Sequence, residues 1–261
     1  MAMLSIVIAA SLAALPSSDS RAPVDQASLP SAKPLELSLT LDGPLLGASA
    51  AMFAATVVIN QTHSEAQATG STQSVPWFDK VALGRGNATQ DEVSSILQYA
   101  LVVGVPLTLA LSQWGGRAND LVPALIVVES LVASEAVCQL TKSLVHRPRP
   151  YAYAHGSASG EADRSFYSGH TTVSFAAVVS TLMVLDELPP ELSTPLVIGA
   201  LGLATTVGVL RVTSGRHFPS DVVTGAVIGA TIGWVVPTLH RGDRQLSVVV
   251  SPLGLALTGQ I

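Results

Sequence analysis

Apolar intervals of nearly constant length recur along this chain of 261 residues. Four of them contain no Asp, Glu, Lys or Arg, and each is close to the ~20 residues that a helix needs to cross the apolar core of a bilayer. They are residues 43–62, 93–116, 192–210 and 222–239. A segment in lipid must satisfy its backbone hydrogen bonds internally, so such intervals fold as helices packed side by side.

Two further apolar runs extend this pattern to six helices. Residues 121–140 contain Glu129 and Glu135, and the run that follows His170 has only fifteen residues before Asp186. The sequence therefore predicts an all-α fold, a six-helix membrane-embedded bundle. A soluble all-helical enzyme with unusually apolar core helices stays open as the alternative, because short apolar runs also occur in buried soluble helices.

The composition favours lipid as the surroundings of the chain. Charged residues make up 12% of it, about half the usual share of a globular protein, and the mean hydropathy is +0.49. The formal net charge of -5 argues against nucleic acid as a partner, since duplex binding normally needs a basic surface. The single Cys138 cannot form an intrachain disulfide, and its apolar neighbours predict a small buried side chain.

Three parts of the chain differ in composition. Residues 1–40 join an apolar run, typical of a secretory signal or an uncleaved anchor, to a linker rich in Ser, Pro and Ala. Residues 41–240 hold the predicted helices, with a long loop over residues 61–92. In the tail, residues 241–261, an alternating stretch of β-branched residues is followed by turn-forming Pro and Gly, which predicts a short hairpin.

Polar and small residues inside the helices carry further information. An ionisable group in the middle of a span costs about 2.5–3.5 kcal/mol and normally faces a polar interior. Glu135 shares a helix face with Lys142, so it either orients or neutralises Lys142 through intervening groups or bonds to a neighbouring helix. Gly225, Gly229 and Gly233 form a smooth strip for close packing within the chain, with dimerisation as the alternative.

Three short clusters beside the apolar segments supply the groups that hold and attack a phosphate. Guanidinium forks and an ammonium bind phosphate oxygens by charge-assisted hydrogen bonds, and a histidine near pH 7 can be a nucleophile, an acid or a base. Phosphoryl transfer without a metal ion or a cofactor is therefore the leading hypothesis. The clusters are Lys142 with Arg149, Ser168-Gly169-His170, and Arg211 with His217 and Asp221.

The first cluster begins where an apolar helix ends, because Pro148 prevents a regular helix from continuing. Lys142 and Arg149 can then converge on one anion. Arg147, in the same basic run, is either a lipid-headgroup contact or an ordinary juxtamembrane charge.

The second and third clusters complete the predicted site. Gly169 lets the backbone approach an anion at the N-terminus of the next helix, where Ser168 can donate its hydroxyl and His170 can protonate a leaving alkoxide. Asp221 can hold one imidazole nitrogen of His217 and leave the other free to attack phosphorus, which makes His217 the proposed nucleophile. Taken singly, the second cluster also suits an ordinary helix start, and the third a surface histidine bonded to a capping aspartate.

With these spacings the chain resembles the type 2 phosphatidic acid phosphatase family, which is related to the vanadium haloperoxidases. The matching pattern is a lysine, six residues and Arg-Pro, then Ser-Gly-His, then an arginine, five residues, a histidine, three residues and an aspartate. The resemblance implies a phosphohistidine intermediate on His217, positioned by Asp221, with His170 as the general acid. It also implies that the phosphoryl oxygens bind to Lys142, Arg149, Ser168, Gly169 and Arg211.

Two positions depart from the family pattern, which usually has Pro before Ser-Gly-His and Ser before the third-cluster arginine. Tyr167 and Leu210 stand at these positions here. Neither substitution removes a catalytic group. Tyr167 can alter loop rigidity or add a hydroxyl near the substrate, whereas Leu210 removes a hydrogen bond beside Arg211.

The function that the resemblance implies is metal-independent hydrolysis of a phosphate monoester or diphosphate. The predicted membrane setting favours a lipid phosphate such as phosphatidate, phosphatidylglycerophosphate or a polyprenyl diphosphate. The alternatives are a vanadate-dependent haloperoxidase and a non-catalytic lipid-phosphate binding or transport protein. The presence of both histidines argues against a non-catalytic protein.

The three clusters are predicted to lie at one face of the membrane. The first and third follow helices three and five, and the second leads into helix four from the same side. The family resemblance implies the periplasmic face of a bacterial inner membrane. A cleaved signal followed by six spans would place the site inside instead, an uncleaved first segment would resolve that conflict, and a secreted periplasmic enzyme is a further alternative.

Overall fold

The computed structural model describes residues 35–62, 71–155, 161–185, 190–241, 247–251 and 254–258. The signal-like run and the linker up to residue 34 lie outside the described residues. The signal and the anchor therefore both stay predictions from the sequence.

Six long helices make up the described part of the chain, as the apolar intervals predict, so the all-α bundle is confirmed. The elements in chain order are α1 (Leu39–Thr62), α2 (Ala88–Tyr99), a π-helical stretch (Ala100–Gly104), α3 (Val105–Gln113), α4 (Val122–Val145), α5 (Ala152–His155), α6 (Gly169–Val184), α7 (Pro190–Thr213), α8 (Pro219–Leu239), β1 (Ser247–Ser251) and β2 (Gly254–Thr258). The π-helical stretch joins α2 and α3 into one span, and α5 is a single short turn.

Five of these helical spans are long and apolar enough to cross a membrane, among the described residues, and α6 is a shorter apolar helix. At the C-terminus, β1 and β2 pair as an antiparallel hairpin in which Ser247 lies opposite Thr258. The hairpin lies in the alternating stretch of the tail, where the sequence predicts it.

Local sequence signals set the ends of the helices. Asn87 caps α2 by accepting a hydrogen bond from the backbone N–H of Gln90 at 3.0 Å. Pro219 begins α8, a position at which the missing N–H of proline leaves no bond unmade. α4 ends at Val145, and its C-cap residue His146 has a left-handed backbone (φ 48°) that turns the chain just before Pro148.

α6 lies at the centre of the bundle, in contact with α4, α7 and α8. Most of its side chains are buried, among them the small Ala176 and Ala177. By contrast, only 11% of the apolar 18-residue stretch of α1 and 22% of that of α7 are buried. A buried central helix surrounded by helices with exposed apolar faces suits a bundle that is itself surrounded by lipid.

The glycine strip of α8 packs directly against the backbone of α6. A Cβ at Gly225 would lie 2.7 Å from the carbonyl oxygen of Ser168. A Cβ at Gly229 would overlap the carbonyl oxygen of Thr172, and Gly233 makes the same kind of contact one turn further along. The interpretation of this strip as a packing surface within the chain is therefore confirmed.

Gly229→Ala is expected to destabilise the protein by about 1–3 kcal/mol, because the added methyl group forces α8 away from α6. Gly202→Ala in α7 is the matched control, since a Cβ there meets nothing within 4 Å. The control should be neutral or slightly stabilising, because alanine favours helix over glycine by up to ~1 kcal/mol. Thermal unfolding in detergent measures both, and equal melting temperatures would contradict this close packing.

Candidate active site

The three predicted clusters meet at one end of the bundle. Lys142 lies in the last turn of α4 and Arg211 in the last turn of α7. Gly169 begins α6, and His217 lies in the short connection between α7 and α8. Two helix C-terminal ends and two N-terminal ends therefore supply the site, and all of its predicted residues lie on the same side.

Backbone hydrogen bonds fasten the first cluster to the loop that leads into α6. The N–H of Arg149 donates to the carbonyl oxygen of Ala162 at 2.7 Å, and the N–H of Ser165 donates to that of Arg147 at 2.9 Å. The N–H of Ser168 donates to the carbonyl oxygen of Asp221 at 3.1 Å. This pairing holds the two loops side by side next to the start of α8.

The start of α6 lies directly against the ammonium group of Lys142. A Cβ at Gly169 would be 3.3 Å from Lys142 Nζ and 3.4 Å from Cys138 Sγ, so glycine leaves room for the lysine. Ser168 caps the helix, since its Oγ accepts a hydrogen bond from the N–H of Thr171 at 3.4 Å. Ser168 thus has the helix-start role that the sequence also allows, at a helix N-terminus that favours anions.

His217 is fully buried, and its hydrogen bond defines its tautomer. Nδ1 lies 2.8 Å from the carbonyl oxygen of Ser165. A carbonyl oxygen can only accept, so Nδ1 carries the proton and Nε2 keeps its lone pair.

The electrostatics of His217 show that the clusters converge. Burial holds the pKa of His217 well below its usual value, and the nearby Arg149, Arg211 and Lys142 lower it further. All three cations therefore act on one neutral imidazole.

The sequence predicts a hydrogen bond between Asp221 and His217, but the structure does not have it. The two side chains are connected through Ser165 instead. The nearest Asp221 oxygen is 3.7 Å from His217 Nδ1. That oxygen instead accepts from Ser165 Oγ at 2.6 Å and from the N–H of Phe218 at 2.9 Å. Asp221 thereby fixes the Ser165 residue whose carbonyl oxygen holds the imidazole.

Arg147 has neither of the two roles that the sequence suggests, because it is bonded inside the protein. Its guanidinium donates to Asp221 at 2.5 Å, to Ser220 Oγ at 2.8 Å and to Asp79 at 2.7 Å. It also lies over the ring of Phe218, 4.2 Å from the ring centre. Arg147 is a bridge between two buried carboxylates, and Asp79 reaches it from a loop in which the sequence predicts no site residue.

The cations of the site are themselves matched by carboxylates. Arg211 donates to Asp91 and, at 3.1 Å, to Ser94 Oγ, both on α2. Arg149 donates to the exposed Glu161 at 2.7 Å. A third residue of α2, Ser95, has its Oγ 3.1 Å from Nε2 of His170. The first turns of α2 therefore cover the site, a contribution that the sequence analysis missed.

Glu135 belongs to the site as well. Its carboxylate accepts a hydrogen bond from Gln139 on the same helix, and its Oε2 would be 3.7 Å from a Cβ at Gly169, next to Lys142. The neutralising interpretation of Glu135 fits this position. The one side-chain hydrogen bond that Glu135 makes among the described residues is to its own helix, so the other interpretation, a bond to a neighbouring helix, does not describe it.

The two departures from the family pattern have different surroundings. Tyr167 is 1% exposed, and its carbonyl oxygen lies 3.6 Å from Cys138 Sγ, so it packs into the protein rather than into open space. Leu210 offers Arg211 no hydrogen bond, and the side chains of α2 bind that guanidinium instead.

A cavity of about 330 Å³ opens beside these residues. Its lining includes Asp91 and Arg216, which are joined by an ion pair of 2.6 Å. Arg85, Asn87 and Tyr151 also line it. The cavity therefore extends the cationic site towards groups that can hydrogen-bond to a ligand.

Comparison with known proteins agrees with this geometry. The PAP2 superfamily model matches residues 123–245, a range that contains every residue of the three clusters. Residues 123–245 belong to the PAP2 superfamily.

Two curated relatives align with parts of the chain. Decaprenylphosphoryl-5-phosphoribose phosphatase of Mycobacterium tuberculosis is 31% identical over 116 residues, which are 43% of this chain and 58% of that protein. Lipid A 1-phosphatase of Porphyromonas gingivalis is 27% identical over 95 residues, 35% of this chain and 20% of that protein. The chain thus spans little more than half of one relative and a fifth of the other.

A solved structure shares the fold. The transmembrane PAP2-type phosphatidylglycerolphosphate phosphatase of Bacillus subtilis superposes with a TM-score of 0.52 at 18% identity, covering 76% of this chain and 98% of that one. The described part of the chain has five apolar helices of spanning length, so this protein is a multi-pass membrane protein.

Arg147→Lys is expected to lower the free energy of unfolding by about 2–4 kcal/mol. Two separate nitrogens of the guanidinium make these bonds, which the single nitrogen of a lysine does not reproduce, and a lost hydrogen bond to a charged group costs roughly 1.5–3 kcal/mol. Arg164→Lys is the control, because Arg164 makes a single bond of 2.8 Å to Gln139. Chemical denaturation in detergent measures both variants, and equal losses would contradict the bridging role.

His217 makes the stability of the folded protein depend on pH. Its lowered pKa means that below the ordinary value of 6.5 the unfolded chain takes up a proton that the folded chain excludes. The stability from neutral His217 is therefore fully present above that pH and is lost as the pH falls, by up to ~1.4 kcal/mol per unit. His217→Gln should lose less stability than the unsubstituted chain between about pH 7 and 5. Parallel stability curves would contradict this account.

Proposed function

We propose that this protein is a metal-independent phosphatase that hydrolyses a lipid phosphate monoester or diphosphate through a phosphohistidine. The observation that carries the proposal is the neutral imidazole of His217, with Nδ1 held by Ser165 and three cations around it. Such a site binds a phosphate by charge and presents it to a nucleophile at the same time.

The proposed reaction has two steps. Nε2 of His217 attacks phosphorus in line, the bond from phosphorus to the leaving oxygen breaks, and His170 gives that oxygen a proton. Water then attacks the phosphohistidine, His170 takes the proton from the water, and inorganic phosphate leaves. Most of the rate would come from positioning and charge stabilisation, as in phosphoryl transfer generally.

The phosphoryl oxygens have several donors in this proposal. Lys142 Nζ lies against the N-terminus of α6, where Gly169 and the following residue present free N–H groups. Arg149 and Arg211 would exchange their present partners, Glu161 and Asp91, for phosphate oxygens. A phosphate dianion can compete with a carboxylate for these guanidinium groups because both accept the same bidentate bonds.

A lipid phosphate is the proposed substrate class. The site lies at the end of a bundle of apolar helices, where a headgroup meets a membrane-embedded protein. The relatives are named for phosphatases of lipid A and of decaprenylphosphoryl-5-phosphoribose, and the solved structure for one of phosphatidylglycerolphosphate. The cavity lined by Asp91 and Arg216 would then hold the headgroup next to the phosphate.

We place the protein in the inner membrane of a bacterial envelope with the site on the periplasmic side. That location follows from the family resemblance and from the common side of the three clusters. Labelling of single cysteines introduced near residue 163 by a membrane-impermeant reagent in intact cells tests it.

His217→Ala is expected to reduce phosphate release from phosphatidate or a polyprenyl diphosphate by at least ~10³-fold, since no other imidazole replaces it. His170→Ala should cost about 10²–10⁴-fold, the usual contribution of a general acid. His146→Asn is the matched control, because asparagine tolerates the left-handed backbone of that position. The control should stay near full activity. Full activity of His217→Ala would exclude the mechanism, and halide oxidation with added vanadate in place of hydrolysis would exclude the phosphatase assignment.

A further inference from the structure

A second polar cluster lies far from the proposed active site. Asp42 on α1, Glu129 on α4 and His240, which follows α8, bring their side chains together. Glu129 precedes Lys142 by 13 positions on α4, which is about 20 Å of helix at 1.5 Å per residue. None of the residues of the phosphate site takes part in this cluster.

The histidine is oriented as a metal ligand would be. Nδ1 of His240 lies 2.7 Å from the carbonyl oxygen of Val236, so Nδ1 carries a proton. Nε2 faces the two carboxylates, 2.8 Å from Asp42 Oδ1 and 3.1 Å from Glu129 Oε2. Histidines that bind metals typically donate their other ring N–H to a backbone carbonyl in this way, which fixes the ring and its tautomer.

Glu129 is the observation that points to a bound cation. It is 5% exposed, and neither carboxylate oxygen has a hydrogen-bond partner among the described residues. A single proton on Nε2 of His240 can serve one acceptor, and Asp42 is the nearer one. A buried carboxylate without a hydrogen bond is costly, so the cluster needs more positive charge than one imidazole supplies.

The spacing of the three side chains suits a single ion. The ligand atoms of Asp42, Glu129 and His240 all lie within 4.8 Å of one another, close enough for one ion to contact all three.

We propose that Asp42, Glu129 and His240 form a binding site for a divalent transition-metal ion, with Zn²⁺ as the best match. One imidazole nitrogen and two carboxylate oxygens form a ligand set that Zn²⁺ accepts, whereas Mg²⁺ prefers oxygen ligands and retains water. The ligands come from three elements separated by up to 198 positions in the chain. The metal would therefore join α1 to α4 and to the end of α8, and it would act on stability rather than on the chemistry of phosphate.

The test uses the full chain, purified in detergent, stripped with a chelator and titrated with Zn²⁺ or Mg²⁺ by calorimetry. We expect saturable binding of one Zn²⁺ per chain, with Mg²⁺ bound far more weakly. Glu129→Gln and His240→Gln should each weaken Zn²⁺ binding about tenfold or more. His217→Gln is the matched control and should leave it unchanged.

X-ray absorption of the zinc-loaded, unsubstituted chain is the second measurement, which stands even if a variant does not fold. It should show one imidazole and oxygen ligands at about 2.0–2.2 Å. Three outcomes would overturn the proposal: no saturable Zn²⁺ binding, equal binding by Glu129→Gln and the unsubstituted chain, or loss of binding in His217→Gln. The last would place the metal in the phosphate site.

Discussion

The hydrogen bond from Nδ1 of His217 to the carbonyl oxygen of Ser165 is the interaction on which the proposed chemistry depends. It decides which imidazole nitrogen carries the proton and therefore which one has a lone pair to offer. Ser165 is held by Asp221, and Asp221 is held by Arg147, which also binds Asp79. Ion pairs that do not face the phosphate thus set the direction of the nucleophile. Because Arg147 is shared, each of the two buried carboxylates has a cationic partner.

Helix packing brings the parts of this network within reach of one another. The glycines of α8 let α6 approach so closely that the backbone of Ser168 bonds to that of Asp221. The N-terminus of α6 then lies beside the start of α8, with Lys142 against the first turn of α6. Asp91, Glu161 and Glu135 balance the charges of these cations. A phosphate that replaced the first two would enter a site whose charges and donors are already in place, which limits the reorganisation that the reaction requires.

Much of this arrangement can be predicted from the sequence, because two simple regularities govern it. Apolar intervals of spanning length predict the six helices, and the spacing of Lys142, His170 and His217 next to helix ends predicts that they meet. What the sequence does not predict are the partners supplied by distant loops. Asp79 and Asp91 are ordinary acidic residues in a polar stretch, and only the folded chain brings them to Arg147 and Arg211. The indirect hold of Asp221 on His217 also depends on a carbonyl group, which no side-chain motif can reveal.

Isolation of the phosphorylated protein tests the central claim most directly. The full chain would be mixed with a phosphorus-labelled lipid phosphate, quenched within milliseconds under alkaline conditions that preserve a nitrogen–phosphorus bond, and digested for mass spectrometry. Nuclear magnetic resonance of the labelled peptide would identify the modified nitrogen. The account predicts one phosphoryl group, on Nε2 of His217, that accumulates in the His170→Ala variant. A phosphoryl group on Nδ1, on another residue, or on no residue of a chain that turns over its substrate would contradict it.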